Sequence, residues 1–223
     1  MTNGYAVRHV DQLEELPING GEFVWRPVRR HFGITAFGTN AYTADAGQRV
    51  VEEHFEKDGP EEMYVVLRGR ATFTLGDDEV DAPAGTIVFA QPGTRRGAVA
   101  AENGTAVLAV GAKPGVAYEP SAWEGSFAAF SYAESGQLER AREEIAASIG
   151  EHPDAWQGRY NAACMEARFG DREAAIRHLQ QAHELEPDEV AKLAARDSDL
   201  DALRDDARVS AIAGKAPAGG ADA

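Results

Sequence analysis

The sequence predicts an α+β chain in two parts, an antiparallel β-barrel or sandwich followed by an all-α module. Two observations carry that prediction. Between residues 47 and 98, apolar runs at Tyr64–Leu67, Ala71–Leu75 and Thr86–Ala90 are punctuated by Gly69, by Gly76-Asp77-Asp78 and by Pro83-Ala84-Gly85. That is the rhythm of short strands joined by tight turns. From Gly125 onward the apolar period changes from two to that of a helix, and Ala and Glu become common. The proline-broken stretch VAYEPSAW separates the two regimes, so the expected units are residues 1–119 and 120–210, with a disordered Pro/Gly-rich tail at 211–223.

Taken in order, Val10, Leu13 and Leu16 mark a short helix closed by Pro17 and by Asn19-Gly20-Gly21. EFVWRPVRR reads as a strand broken at Pro27, and GITAFGTNAY as a strand that sets Ile34, Ala36, Gly38, Asn40 and Tyr42 on one face. If that face looks into a barrel, Asn40 and Tyr42 offer hydrogen-bonding groups to a ligand; otherwise Tyr42 packs its ring and Asn40 caps a turn. Val50, Glu52, His54 and Glu56 share a face, as do Glu62, Tyr64 and Val66 on the next strand. An imidazole and two carboxylates suit a divalent ion such as iron, manganese or zinc, with water at the remaining positions. The opposite face, with Met63, Val65, Leu67, Ile87 and Phe89, is apolar as well, and a sheet apolar on both sides must be covered on both.

Two spaced patterns in this region resemble a known family. Gly47, His54-Phe55-Glu56, Glu62 and Gly69 follow the first motif of the cupins, and Gly85, Gln91, Gly93 and Arg96 follow the second, with Pro92 shifted by one from the family's proline. The resemblance implies a double-stranded β-helix, or jelly-roll, with the first-motif ligands and the second-motif position pointing into the barrel. It implies a metal set of His54, Glu56 and Glu62 for iron, manganese, zinc or nickel, and a homodimer formed through the apolar sheet face. Cupins include enzymes, storage proteins and ligand sensors, so the fold alone does not choose among activities. Two of the four family ligand positions differ here: Glu56 stands for the second His of the first motif and Arg96 for the His of the second. A guanidinium repels a cation, whereas beside Glu62 or Glu56 it can pair with a carboxylate and fill the metal's place. That favours a metal-free barrel in which Asn40, Tyr42, Tyr64 and Arg96 bind a small molecule. Two alternatives stay open: Arg95 points inward if a bulge at Gln91-Pro92 shifts the parity, and His31 serves as a substitute ligand.

The helical part carries an internal repeat. Gly136 and Gly170, Ala141 and Ala175, Ile145 and Leu179, and Pro153 and Pro187 all recur at an offset of 34 residues. This resembles the tetratricopeptide repeat, with Ala128-Ala129 and Ala162-Ala163 where the first helix of each pair needs close packing. Arg159 stands where a large aromatic is expected, and Glu166 where Tyr is usual. The resemblance implies a surface for a protein or peptide partner. A capping helix is expected after Pro187, with Asp188 as its N-cap and Val190, Leu193, Leu200 and Leu203 as its apolar positions. Cys164, Met165, Trp156 and Phe169 read as packing residues, and His178 and His183, five apart, diverge around a helix and do not form a metal pair.

Composition excludes several function classes. A net charge of −15 opposes phosphate backbones, and Arg26, Arg29 and Arg30 are too few and interrupted to form a local basic patch, so no DNA or RNA partner is expected. No apolar run is long enough for a membrane span, the N-terminus lacks a signal-peptide layout, and the single cysteine forms no internal disulfide, so a cytoplasmic protein is expected. Neither a Ser-His pairing nor a Gly-rich phosphate loop supports a hydrolase or kinase. Three readings remain: a non-enzymatic binding protein, a metal-dependent cupin enzyme of the oxygenase or isomerase type, and a homo-oligomeric scaffold. Arg96 discriminates the first from the second.

Overall fold

The computed structural model describes residues 5–55, 59–120 and 122–214. The chain divides into two compact units, Met1–Pro120 and Ser121–Ala223. No described helix is long and apolar enough to cross a membrane.

Among its described residues the first unit contains ten strands: β1 Leu16–Ile18, β2 Phe23–Arg26, β3 Gly38–Ala44, β4 Arg49–His54, β5 Glu61–Arg68, β6 Arg70–Leu75, β7 Asp78–Pro83, β8 Ile87–Ala90, β9 Arg96–Ala100 and β10 Thr105–Ala112. They form two antiparallel sheets, one in the order β1-β2-β3-β10-β5-β8 and the other in the order β4-β9-β6-β7. Period-two patterning explains the packing. Tyr64, Val66, Phe73 and Val107 are fully buried, and the Tyr64 and Phe73 rings meet 5.7 Å apart between the sheets. Each such side chain removed from water contributes about 1.5–3 kcal/mol. Met63, Leu67, Ile87 and Phe89, which alternate with the inward residues of β5 and β8, are exposed on the outer face.

The turns follow from the glycines. Gly69, between β5 and β6, has φ +72°, and a Cβ there would lie 2.6 Å from the Thr105 Oγ1. That hydroxyl is fixed by donation to the Glu102 and Arg70 carbonyls. The close of the first motif therefore needs glycine on both steric and conformational grounds.

Several local expectations are corrected. Among the described residues near the N-terminus only a single 3₁₀ turn, Val10–Gln12, forms, and Leu16 and Pro17 belong to β1. Pro17 is tolerated because β1 is an edge strand, where a missing N–H breaks no ladder. Pro27 ends β2 as expected but leads into a short helix, α1 Val28–Phe32, closed by Gly33 at φ +67°. Ile34 and Ala36 thus precede the strand, which starts only at Gly38.

The second unit contains α2 Ala122–Glu134, α3 Leu138–Glu151, α4 Trp156–Phe169, α5 Arg172–Leu185, α6 Pro187–Ala194, a 3₁₀ segment Ser198–Leu203 and α7 Ala207–Ala213. Helix starts at residues 122 and 156, and at 138 and 172, are each 34 residues apart. Ala128, Ala129, Ala162 and Ala163 are completely buried, as small residues at helix crossings should be. Gly125 has no room for a Cβ because Ser148 of α3 lies against it. Asp188 is not an N-cap: Glu186 holds that position without a side-chain bond and Pro187 opens α6, whose fixed φ suits the first turn. The side-chain caps are instead Asp171, Asp197 and Asp206. Residues 211–213, expected in a disordered tail, complete α7, with Ile212 buried; 215–223 lie outside the described residues.

Glu166, which departs from the repeat pattern, is explained by an ion pair. Its Oε1 accepts from the Arg142 Nε at 2.7 Å, and its Oε2 from the Arg142 Nη2 at 2.9 Å and the Asp171 N–H at 2.8 Å. Gly170 makes room for it, since a Cβ there would collide with the Glu166 carboxylate.

Candidate functional site

The site is assembled from both sheets at one end of the first unit. Glu62 and Tyr64 are alternate residues of β5, and because Tyr64 faces the opposite sheet, so does Glu62. His54 is the last residue of β4 and Arg96 the first of β9, and the two are partners in register. Parity settles which arginine enters: Arg96 is completely buried, whereas Arg95 is exposed, donates to the Gly76 carbonyl at 2.7 Å and lies 3.6 Å from Glu53. Gly111 faces Glu62 across β10 and β5, and a Cβ there would press on the Glu62 Cγ at 3.0 Å.

One atom collects every contact. The Glu62 Oε2 accepts from the Tyr64 hydroxyl at 2.7 Å and the Arg96 Nε at 2.8 Å, and meets the His54 Nε2 at 3.2 Å. The Arg96 Nη2 lies 2.7 Å from the same oxygen, so the guanidinium bears on it through two nitrogens. The Arg96 Nη1 donates to the Thr94 carbonyl at 2.9 Å. On its other side His54 points Nδ1 at the Glu52 carbonyl, 2.9 Å away. A carbonyl and an ionised carboxylate only accept, so this pair of contacts favours the doubly protonated ring of His54.

The electrostatics follow. Burial alone would raise the Glu62 carboxyl, but hydrogen bonds from His54, Tyr64 and Arg96 outweigh it and hold the group at about 2. His54 is raised by its bond to Glu62, against the effect of burial, with the Glu52 carbonyl adding to the rise. Burial and the Glu62 charge push the Tyr64 phenol up, so it stays a donor. Arg96, which burial would lower, is raised by Glu62. The Glu62 charge thus favours the protonated form of His54 and the charge on Arg96.

Of the residues expected at a site, the structure brings together His54, Glu62, Tyr64 and Arg96. Asn40 lies in the same cross-strand row as Ala109 and Tyr64, facing inward; it is buried and its Oδ1 has no hydrogen-bond partner among the described residues. Tyr42 stands one row away, half-buried, with its ring edge-on to Phe23 at 5.9 Å. Glu56 lies outside the described residues. His31 is exposed on α1 against Phe32, at 4.8 Å between ring centroids, and takes no part in the cluster as the substitute ligand considered above.

The described set does not fit a divalent cation. Both nitrogens of His54 are occupied as donors, the inward oxygen of Glu62 already takes the guanidinium, and a metal beside Arg96 would meet its fixed positive charge at close range. A second group in the helical unit, Cys164, Asp197 and Asp199, places ligand atoms within 4.8 Å of one another. Sequence offers no signal for it, since Cys164 and Asp197 are 33 residues apart. Its atoms have structural work: the Asp197 Oδ2 accepts from the Tyr160 hydroxyl at 2.9 Å and the Cys164 thiol at 3.6 Å, and its Oδ1 caps the 3₁₀ segment through the Asp199 N–H at 3.0 Å. Burial and the neighbouring aspartates push the thiol up, which keeps it protonated. The backbone carbonyls of Glu52 and Thr94 are the other members of the barrel site that sequence reasoning missed, because a carbonyl's direction has no residue signature.

Residues 42–111 match the family model described as Cupin domain. Among solved structures, the chain is similar to an RmlC-like cupin protein from Desulfovibrio desulfuricans, at 27% identity over 48% of this chain and 97% of that one, with a TM-score of 0.39. It is similar to a predicted oxalate decarboxylase from Thermotoga maritima, at 21% identity over 48% of this chain and 99% of that one, with a TM-score of 0.41. It is also similar to a sugar phosphate isomerase from a cupin superfamily from Silicibacter pomeroyi, at 15% identity over 48% of this chain and 76% of that one, with a TM-score of 0.44. No curated protein matches the chain.

Proposed function

We propose that the chain is a binding protein: a cupin barrel that takes a small molecule without a metal, joined to a tetratricopeptide-like module that engages a protein or peptide. The observation that carries the first half is the Arg96 guanidinium seated on the Glu62 Oε2, in the position the family gives to a metal-binding histidine. The permanent charge of Arg96 replaces the charge of an ion but supplies no open coordination position. What supports the second half is the 34-residue spacing of the helix pairs with small residues at their crossings.

Elemental analysis tests the metal-free reading. The wild type and His54→Ala are dialysed against iron, manganese, zinc and nickel and then freed of loose ions. Both are expected to retain far less than one ion per chain. Near-stoichiometric metal in the wild type that disappears in His54→Ala would instead establish the metal-dependent alternative, an oxygenase or isomerase.

The exposed apolar side chains Met63, Leu67, Ile87 and Phe89 favour an additional reading, in which two chains pair through the outer face of β5 and β8. Sedimentation at micromolar concentration should then show a dimer that Ile87→Ser converts to monomer. A wild-type monomer would overturn it.

A further inference from the structure

Two glycines stand side by side on the inner wall of the barrel mouth. Gly38 pairs with Gly111 across β3 and β10, and Gly111 with Glu62 across β10 and β5, so the three form one cross-strand row. Side chains in such a row share a face. That face is the inner one, because it carries Glu62, and Asn40, two residues along β3, is buried on it. Neither glycine has a φ in the left-handed region, so their missing side chains serve space and not backbone conformation. Gly111 yields its space to the Glu62 stem. Gly38 yields its own to Tyr118: a Cβ there would lie 3.1 Å from the Tyr118 hydroxyl oxygen and 3.3 Å from its Cε2.

Tyr118 comes from outside the sheets. The chain leaves β10 at Ala112 and turns through Lys113–Val116, where Gly115 has φ +70° and the Val116 N–H donates to the Lys113 carbonyl at 3.4 Å. It then lays the half-buried Tyr118 against Gly38. Residues 113–117 and Glu119 are exposed. A strap anchored by so little buried surface opens at low cost compared with the strands it crosses.

We propose that Tyr118 is a removable plug: its ring fills a subsite on the Gly38–Gly111 floor that a planar, ring-bearing small molecule takes when the strap lifts. This rests on the reading of the barrel as a small-molecule site and names the shape of its ligand. Glycine inside a strand lets a ligand approach the backbone closely, and a flat ring is what this floor already accommodates.

The test uses the full chain and 4-methylphenol, which reproduces the tyrosine side chain, with 4-methylcyclohexanol as the non-planar control. Binding is read from the backbone amide signals of Gly38 and Gly111 in NMR. In Tyr118→Ala the phenol is expected to shift both signals saturably. In the wild type, where Tyr118 competes, its apparent affinity should be at least about tenfold weaker, as for a site open roughly a tenth of the time or less. Adding Gly38→Ala to Tyr118→Ala raises the floor and should weaken the phenol by about tenfold. Circular dichroism melts confirm that the variants are folded. Equal binding to wild type and Tyr118→Ala would overturn the plug, and the cyclohexanol binding as tightly would overturn the planar ligand. No saturable shift in Tyr118→Ala would overturn the subsite outright. These shifts involve no metal, so they hold or fail independently of the elemental analysis.

Discussion

The two units each contain a glutamate held by an arginine, half-buried Glu62 in one and buried Glu166 in the other, and the two pairs are built differently. In the helical unit Arg142 and Glu166 meet fork to fork, each carboxylate oxygen taking one guanidinium nitrogen, with the Asp171 N–H completing the set. In the β unit the donors from Tyr64, Arg96 and His54 crowd onto a single oxygen of Glu62. The first pair spreads its contacts over both carboxylate oxygens; the second loads them on one.

Removing the arginine from the β pair is the most severe way to break this contrast. Arg96→Met strands Glu62 in a largely buried place, and a loss of about 3–5 kcal/mol in urea unfolding is expected. The Glu62 carboxyl should rise from about 2 towards or above its ordinary 4.5, measurable by carboxyl NMR titration. Glu166→Ala should cost less, about 2 kcal/mol, because Arg142 is 35% exposed and water can take over its donors.

Two glycines sharpen the comparison, since each glutamate lies over one. Gly170→Ala drives the Glu166 carboxylate off Arg142, so its cost should approach that of Glu166→Ala, about 2 kcal/mol, and the double variant should be strongly non-additive. Gly111→Ala presses only on the Glu62 stem and the Glu61 carbonyl, and a loss of about 1 kcal/mol is expected.

The smallest effect separates the two pairs by pH. The Glu62 contribution is complete above its ordinary 4.5 and is lost as pH falls towards about 2. The His54 contribution runs the other way, complete below its ordinary 6.5 and lost as pH rises through its raised folded value. His54→Gln should therefore cost no more than about 1 kcal/mol at pH 6, and the gap to wild type should close in alkaline solution. Glu166→Ala should show no such closing.

How much of this was legible in the sequence depends on range. The strand rhythm, the Glu62-to-Gly69 spacing and the 34-residue period are local patterns, and each corresponds to an observed element. Arg96 could be named but not distinguished from Arg95, because the choice depends on the register of β9 against β4, which two irregularities shift. Ile34 and Ala36 look like strand residues by alternation, yet α1 and its Gly33 turn delay β3 to Gly38. The role of Glu166 was hidden because Arg142 lies 24 residues away on another helix, and pattern comparison records only that a tyrosine is missing. That Arg96 and His54 meet on one oxygen of Glu62 depends on the placing of two sheets, which no spacing encodes.

Glu62 belongs to one sheet, and His54 and Arg96 to the other. The oxygen they share is therefore also a rivet between the two layers of the sandwich. A rivet with several contacts at one point is brittle: it does not stretch but holds or fails as a unit. Amide exchange near His54 and near Arg96 should thus proceed at one common rate, set by the parting of the layers. Any molecule that draws Arg96 partly away from Glu62 loosens the same joint, so occupancy of the mouth and stiffness of the sandwich become two readings of one variable.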